Sequence, residues 1–146
     1  MSPEIRYTID GRAFVRTPDA QFQNLPDFPY QPNYVEVDGL RVHYIDEGPK
    51  DGAVVLLLHG QPDWSYLYRK MIPIITAAGF RAIAPDMIGM GRSDKPTDIH
   101  THTIYAHADW WLAFIQALQL NDITLFAQDW GGLYEPNHGG PSPGIF

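Results

Sequence analysis

Residues 123–133 read Ile123-Thr-Leu-Phe-Ala127-Gln-Asp129-Trp-Gly131-Gly-Leu133. The first five are a short apolar run rich in strand formers, and the rest open a sharp turn toward a helix. Small residues at Ala127 and Gly131 flank a central Asp129 with one residue between each, the spacing of a strand-to-helix elbow that thrusts its central side chain into the open. A run of this kind fits a buried parallel strand, and two more precede it. Ala53-Val-Val-Leu-Leu-Leu58 is apolar without alternation, and Arg81-Ala-Ile-Ala84 is similar. Upstream, Tyr34-Val-Glu-Val37 and Arg41-Val-His-Tyr-Ile45 alternate around Asp38-Gly39, which predicts an antiparallel hairpin.

Helical patterns fill the gaps. Ser65–Ala78 is broken by Pro73, suited to the first turn of a second short helix, with Gly79 at its C-terminal cap. Ile104, Ala108, Trp111, Ile115 and Leu118 recur on one helical face. Strand, helix, strand, helix, strand predicts right-handed crossovers, hence an α/β domain with a parallel sheet behind the hairpin. The strands should end near Asp46, His59, Asp86 and Asp129. Residues 1–33, with Pro18, Pro26, Pro29 and Pro32, read as an irregular lead-in, and 34–133 as the core. Residues 134–146 read as an irregular Pro/Gly-rich tail.

Composition limits the functions available. The chain has 146 residues, 45% of them apolar and 13% aromatic, enough for one domain with a core. Ten Lys and Arg against 17 Asp and Glu give a net charge of −7, which argues against a nucleic-acid binder. There is no Cys, so disulfide scaffolds and thiolate catalysis are excluded. Met1–Asp10 lacks the apolar run of a secretory signal, and Ala53–Leu58 is too short to span a bilayer. The expectation is a cytoplasmic protein that does not engage a membrane.

Ligands of open parallel sheets gather at the carboxyl ends of the strands. Three segments meet there: His59-Gly-Gln-Pro-Asp-Trp64, Pro85-Asp-Met-Ile-Gly-Met-Gly-Arg-Ser-Asp-Lys-Pro96, and the elbow. A carboxylate nucleophile is already anionic at neutral pH, and a helix amino terminus beneath it favours that charge. It can displace a leaving group from saturated carbon and leave an ester that water can cleave, whereas serine would leave a stable ether. Asp129 therefore points to alkyl halides or epoxides. The Trp130 indole N–H and the Gln61 amide are donors for a departing halide, and the backbone N–H groups of Gln61 and Trp130 suit an oxyanion hole.

Each of these residues also has a plainer reading. Asp129 could be a buried capping carboxylate, Trp130 packing, and Gln61 an amide that holds the loop. His59 fits loop ordering better than chemistry, and Asp86 and Asp94 fit bracing of loops. Trp64, Trp110 and Trp111 suit burial. His100, His102 and His107 suggest a metal cluster, but no carboxylate or Cys completes it, and neither metal nor cofactor is expected.

The segments His59–Pro73, Ala84–Pro96 and Gln128–Gly132, with Arg16-Thr-Pro-Asp19 and Leu40–Gly48, resemble the haloalkane dehalogenases, α/β-hydrolases, over residues 14–133. The resemblance implies a truncated α/β-hydrolase fold, with the sheet incomplete and no cap domain. It implies Asp129 as nucleophile and Trp130 as halide donor. Gln61 stands where that family usually has Asn or Glu, so it keeps a donor on a different arm. It also implies a cis peptide at Gln61–Pro62. Small haloalkanes and halide ions are the expected partners. Epoxide hydrolases share the elbow Asp-Trp-Gly-Gly but usually carry His where Gln128 stands, and are the alternative. The family's late acid and water-activating His have no counterpart in residues 134–146, and His138 lacks their context. The chain then reads as a single-turnover or inactive product, or a non-enzymatic truncated one. Its uncovered sheet edge invites self-association.

Overall fold

The structure, a computed structural model, describes residues 4–133. The lead-in expected to be irregular contains Ile5–Tyr7 (β1) and Ala13–Val15 (β2), paired antiparallel. β2 also pairs with Lys95–Pro96 (β7), completing a small three-stranded sheet. These strands are too short to show a period, and the partner of β2 lies far along the chain, so local pattern could not reveal them. Arg16 anchors the same junction, its guanidinium donating to both Asp94 oxygens at 2.7 and 2.8 Å.

The hairpin forms as expected from Asn33–Val37 (β3) and Leu40–Glu47 (β4). Asp38 and Gly39 both have positive φ, 52° and 74°, as a two-residue turn of the right twist requires. Val54–Leu58 (β5), Arg81–Pro85 (β6) and Thr124–Ala127 (β8) are the three strands predicted from continuous apolar runs. The main sheet runs β3-β4-β6-β5-β8, with β5 parallel to both β6 and β8. Among the described residues β8 is an edge with one neighbour, β5.

Two helices cover opposite faces. Ile72–Ala77 (α1) carries Pro73 in its first turn and ends before Gly79 at φ 89°. Ile104–Ala117 (α2) is capped by the Thr103 hydroxyl, which accepts from Ala106 N–H. Side chains of β5 alternate between the layers. Leu56 and Leu58 pack with Trp110, Trp111 and Phe114 of α2, while Leu57 packs with Ile72 of α1 and with Tyr68. All three leucines are wholly shielded, each contributing about 1.5–3 kcal/mol on burial. That two-sided burial explains why β5 shows no alternation. No helix among the described residues is long and apolar enough to cross a membrane.

Candidate active site

At the end of β8 the backbone turns through Asp129 at φ 55°, a left-handed conformation that a non-glycine residue adopts at a cost. Gln128 N–H still reaches Leu58 O at 3.1 Å, so the ladder with β5 holds up to the turn itself. Gly131 then lies against the end of β5. A Cβ there would come within 2.6 Å of Leu58 O and 2.8 Å of His59 O. Glycine is required by this approach, as the small flank of the motif suggested.

The predicted helix after the elbow is, within the described residues, a 3-10 turn over Asp129–Leu133. The Asp129 carboxylate is met instead by a backbone donor, the Gln61 N–H, at 3.1 Å from Oδ2. Gly60 lets the two segments come this close, since a Cβ on it would sit 2.5 Å from Asp129 Cβ. The Gln61–Pro62 peptide is cis, as the resemblance implied.

Gln61 and Trp130 line one open cavity of about 550 Å³, so the structure brings these two site residues together. Asp129, Gln61 and Trp130 are all exposed, Trp130 by 38%. Its lining also includes Ile88, Met90, Lys95, His102 and His107. Ile88, Met90 and Lys95 belong to the Pro85–Pro96 segment already expected at the strand ends, whereas His102 and His107 were not placed there, because the turn ending at Thr101 and the start of α2 carry them in through tertiary packing. The only signal for these two was the clustering of histidines, which suggested a metal but lacked a carboxylate or Cys to complete a site. The rings of His102 and His107 do approach, Nδ1 to Nε2 at 3.4 Å, while His102 Nε2 donates to Pro96 O at 3.0 Å. Burial, and then the neighbouring His102, hold the His107 pKa down to about 4. Among the described residues no three ligating side chains form a metal site.

Beneath the cavity lies a buried polar layer that braces the loops. Asp86 accepts from Ser65 N–H and Arg92 N–H at 2.8 Å each, and His43 Nδ1 faces it at 2.9 Å. Burial works to raise its pKa, but the His43 bond and these backbone donors outweigh it and keep the carboxyl below its ordinary value. Asp94 adds Arg41 N–H to its Arg16 pair. Both acids are loop braces, as read. His59 is also wholly buried, with Nε2 accepting from Met87 N–H and Nδ1 donating to Gly60 O.

The model of the alpha/beta hydrolase fold family matches residues 53–134, more than half of the chain. The chain belongs to the alpha/beta hydrolase fold family. Within that family it is similar to a haloalkane dehalogenase of Psychrobacter cryohalolentis, 58% identical over 124 residues, covering 82% of this chain and 41% of that protein. A haloalkane dehalogenase of Mycobacterium marinum is 55% identical over the same share of this chain and 42% of its own. The chain thus spans about two fifths of the length of the curated relatives it matches. Among solved structures, the tetrameric haloalkane dehalogenase from Paraglaciecola agarilytica superposes with a TM-score of 0.78 at 51% identity, over 82% of this chain and 42% of that one. An epoxide hydrolase from Vigna radiata gives 0.67 at 35%, over 72% and 33%. The predicted α/β-hydrolase fold and the resemblance to haloalkane dehalogenases both agree with these likenesses.

Proposed function

We propose that this chain carries the nucleophilic half of a haloalkane dehalogenase-like hydrolase. The observation behind this is the Asp129 carboxylate at a positive-φ elbow, with Oδ2 held by the Gln61 N–H. Oδ1 is then the attacking oxygen on a haloalkane carbon. Its electron pair forms the C–O bond as the C–halogen bond breaks, and the halide leaves toward the Gln61 amide and the Trp130 indole. In the ester so formed, Oδ2 is the oxygen that becomes anionic when water adds. The backbone N–H groups of Gln61 and Trp130 are the donors that steady it.

Hydrolysis needs a base to activate water, commonly worth about 10²–10⁴-fold. Among the described residues, the imidazoles at the cavity or buried near Asp129 are poor sources. His59 and His102 spend both ring nitrogens on protein partners, and His107 is held near a pKa of 4. Expressed as these 146 residues, the chain should therefore alkylate once and stop. Small haloalkanes and halide are its proposed partners, a cytoplasmic setting suits them, and the β8 edge is the proposed route of self-association.

Intact-mass measurement after incubation with 1-bromobutane tests the reading. One butyl group mapping to Asp129, absent from Asp129→Asn, is expected. Repeated bromide release per chain would overturn the single-turnover proposal, and an unlabelled Asp129 would overturn the nucleophile. The epoxide hydrolase alternative draws on the Vigna radiata likeness. Gln128 before the nucleophile and the 52–58% identities to dehalogenases favour the first reading.

A further inference from the structure

His59 lies at the end of β5, wholly buried, and no step proposed above uses it. Its protonation pattern follows from its partners. Met87 N–H can only donate, so Nε2, 2.9 Å away, is the acceptor and the ring proton sits on Nδ1. That Nδ1–H donates to Gly60 O at 2.7 Å. In a trans peptide the C=O and N–H of one unit point in opposite directions. The unit whose carbonyl His59 grips is Gly60–Gln61, and its N–H is the one that donates to Asp129 Oδ2 at 3.1 Å.

We propose that His59 is a positioning residue: by fixing the Gly60–Gln61 peptide plane it aims the Gln61 N–H at the Asp129 carboxylate. The inference rests on the reading of Gln61 as an oxyanion donor. Glycine at 60 makes such a clamp necessary. Close approach to Asp129 excludes a side chain there, and glycine leaves the peptide freer to rotate than any other residue would. Asp63 N–H also reaches Gly60 O, at 3.1 Å, through the turn that follows. That contact is local to the loop. His59 instead ties the peptide to Met87, just past the end of β6, and so references the donor to the sheet. Burial lowers the imidazole pKa, against the opposing pull of the Gly60 carbonyl and of Asp86 and Asp63, which preserves the neutral ring that both bonds require.

Two substitutions separate the two ends of the ring. His59→Asn leaves an amide donor near the place of Nδ1 and gives up the Met87 contact. His59→Gln leaves an acceptor near the place of Nε2 and gives up the grip on Gly60 O. Each removes one buried hydrogen bond, so a merely structural role would lower both melting temperatures and affect the site equally. The Gln61 amide proton, read by ¹⁵N–¹H NMR on the 146-residue chain, reports the positioning without any chemistry. Its downfield shift from the carboxylate acceptor should survive His59→Asn and collapse in His59→Gln. Labelling of Asp129 by 1-bromobutane, which needs the carboxylate held in line with the C–Br bond, should follow the same order, slowing toward about 10²-fold in His59→Gln, the cost of misplacing a reacting group by about 1 Å. Retention of the signal in His59→Gln, or equal loss in both variants, would overturn the proposal. A wild-type chain that shows the shifted amide but no labelling would sink the dehalogenase reading and leave the positioning role supported.

Discussion

Gly60→Ala is the most direct perturbation of the site that leaves every reacting group in place. A methyl at residue 60 would lie 2.5 Å from Asp129 Cβ, 2.6 Å from Oδ2 and 2.8 Å from Gln128 O. Carbon atoms in contact settle at about 3.5–4.0 Å, so the loop and the elbow must separate by about 1 Å. Neither side yields easily. Gln128 is tied to Leu58 O and Asp129 sits in a constrained turn, while the loop is held through His59 and Ser65. Overpacking of this kind costs about 1–3 kcal/mol of stability. The same displacement would stretch the Gln61 N–H to Oδ2 contact from 3.1 Å to beyond hydrogen-bond reach. A misplacement of about 1 Å at a reacting group can cost about 10²-fold in rate. Labelling of Asp129 by 1-bromobutane, followed by intact mass at a temperature where both chains are folded by circular dichroism, should slow by that order. Labelling at the wild-type rate in a folded Gly60→Ala chain would refute the claim that this contact orients the nucleophile.

Asp129→Asn should abolish labelling while leaving the melting temperature nearly unchanged, because asparagine tolerates a positive φ as well as aspartate; residual labelling in peptide maps would point to another nucleophile. Trp130→Phe and Gln61→Ala should each slow bromide release at least severalfold with little change in folding, since both side chains are exposed, and an unchanged burst would remove them from the halide cradle. Stability should fall as pH drops from 6.5 toward 4. His107, at about 4, and His59, also depressed, bind fewer protons folded than unfolded across that window, so acid favours the unfolded state. Urea melts of His107→Gln should show a shallower dependence over the same range, and an unaltered slope would contradict it. Phe126→Lys places a charge on the exposed β8 edge and should reduce light scattering at high concentration; equal scattering would place self-association elsewhere.

The main sheet was readable because burial on both faces writes itself into sequence as an unbroken apolar run. Val54–Leu58 and Arg81–Pro85 show this, and the positive-φ turn at Asp38-Gly39 marks the hairpin as clearly. The elbow was legible for a steric reason: Gly131 meets the Leu58 carbonyl, and only a very small residue permits that. What could not be read were consequences of distance along the chain. β2 finds β7 about 80 residues later, and Arg16 finds Asp94 across 78 positions. His102 and His107 were not placed at the site, because the spacing of histidines does not show which rings will bond to each other. His59 was read as a loop-ordering residue, but its two partners, both backbone groups, carry no sequence signal.

The order β4-β6-β5-β8 also governs how the chain is made. Val54–Leu58 leaves the ribosome after the hairpin, yet the hairpin strand β4 is not its neighbour in the sheet. Its first partner, Arg81–Pro85, follows about 1–5 s later at about 5–20 residues/s, and its second, Thr124–Ala127, later still. During that interval the most apolar segment of the protein has no sheet to join. This interior strand of the described sheet is therefore the stretch a nascent-chain chaperone would grip, and the segment most exposed to aggregation when synthesis stalls between Leu58 and Arg81.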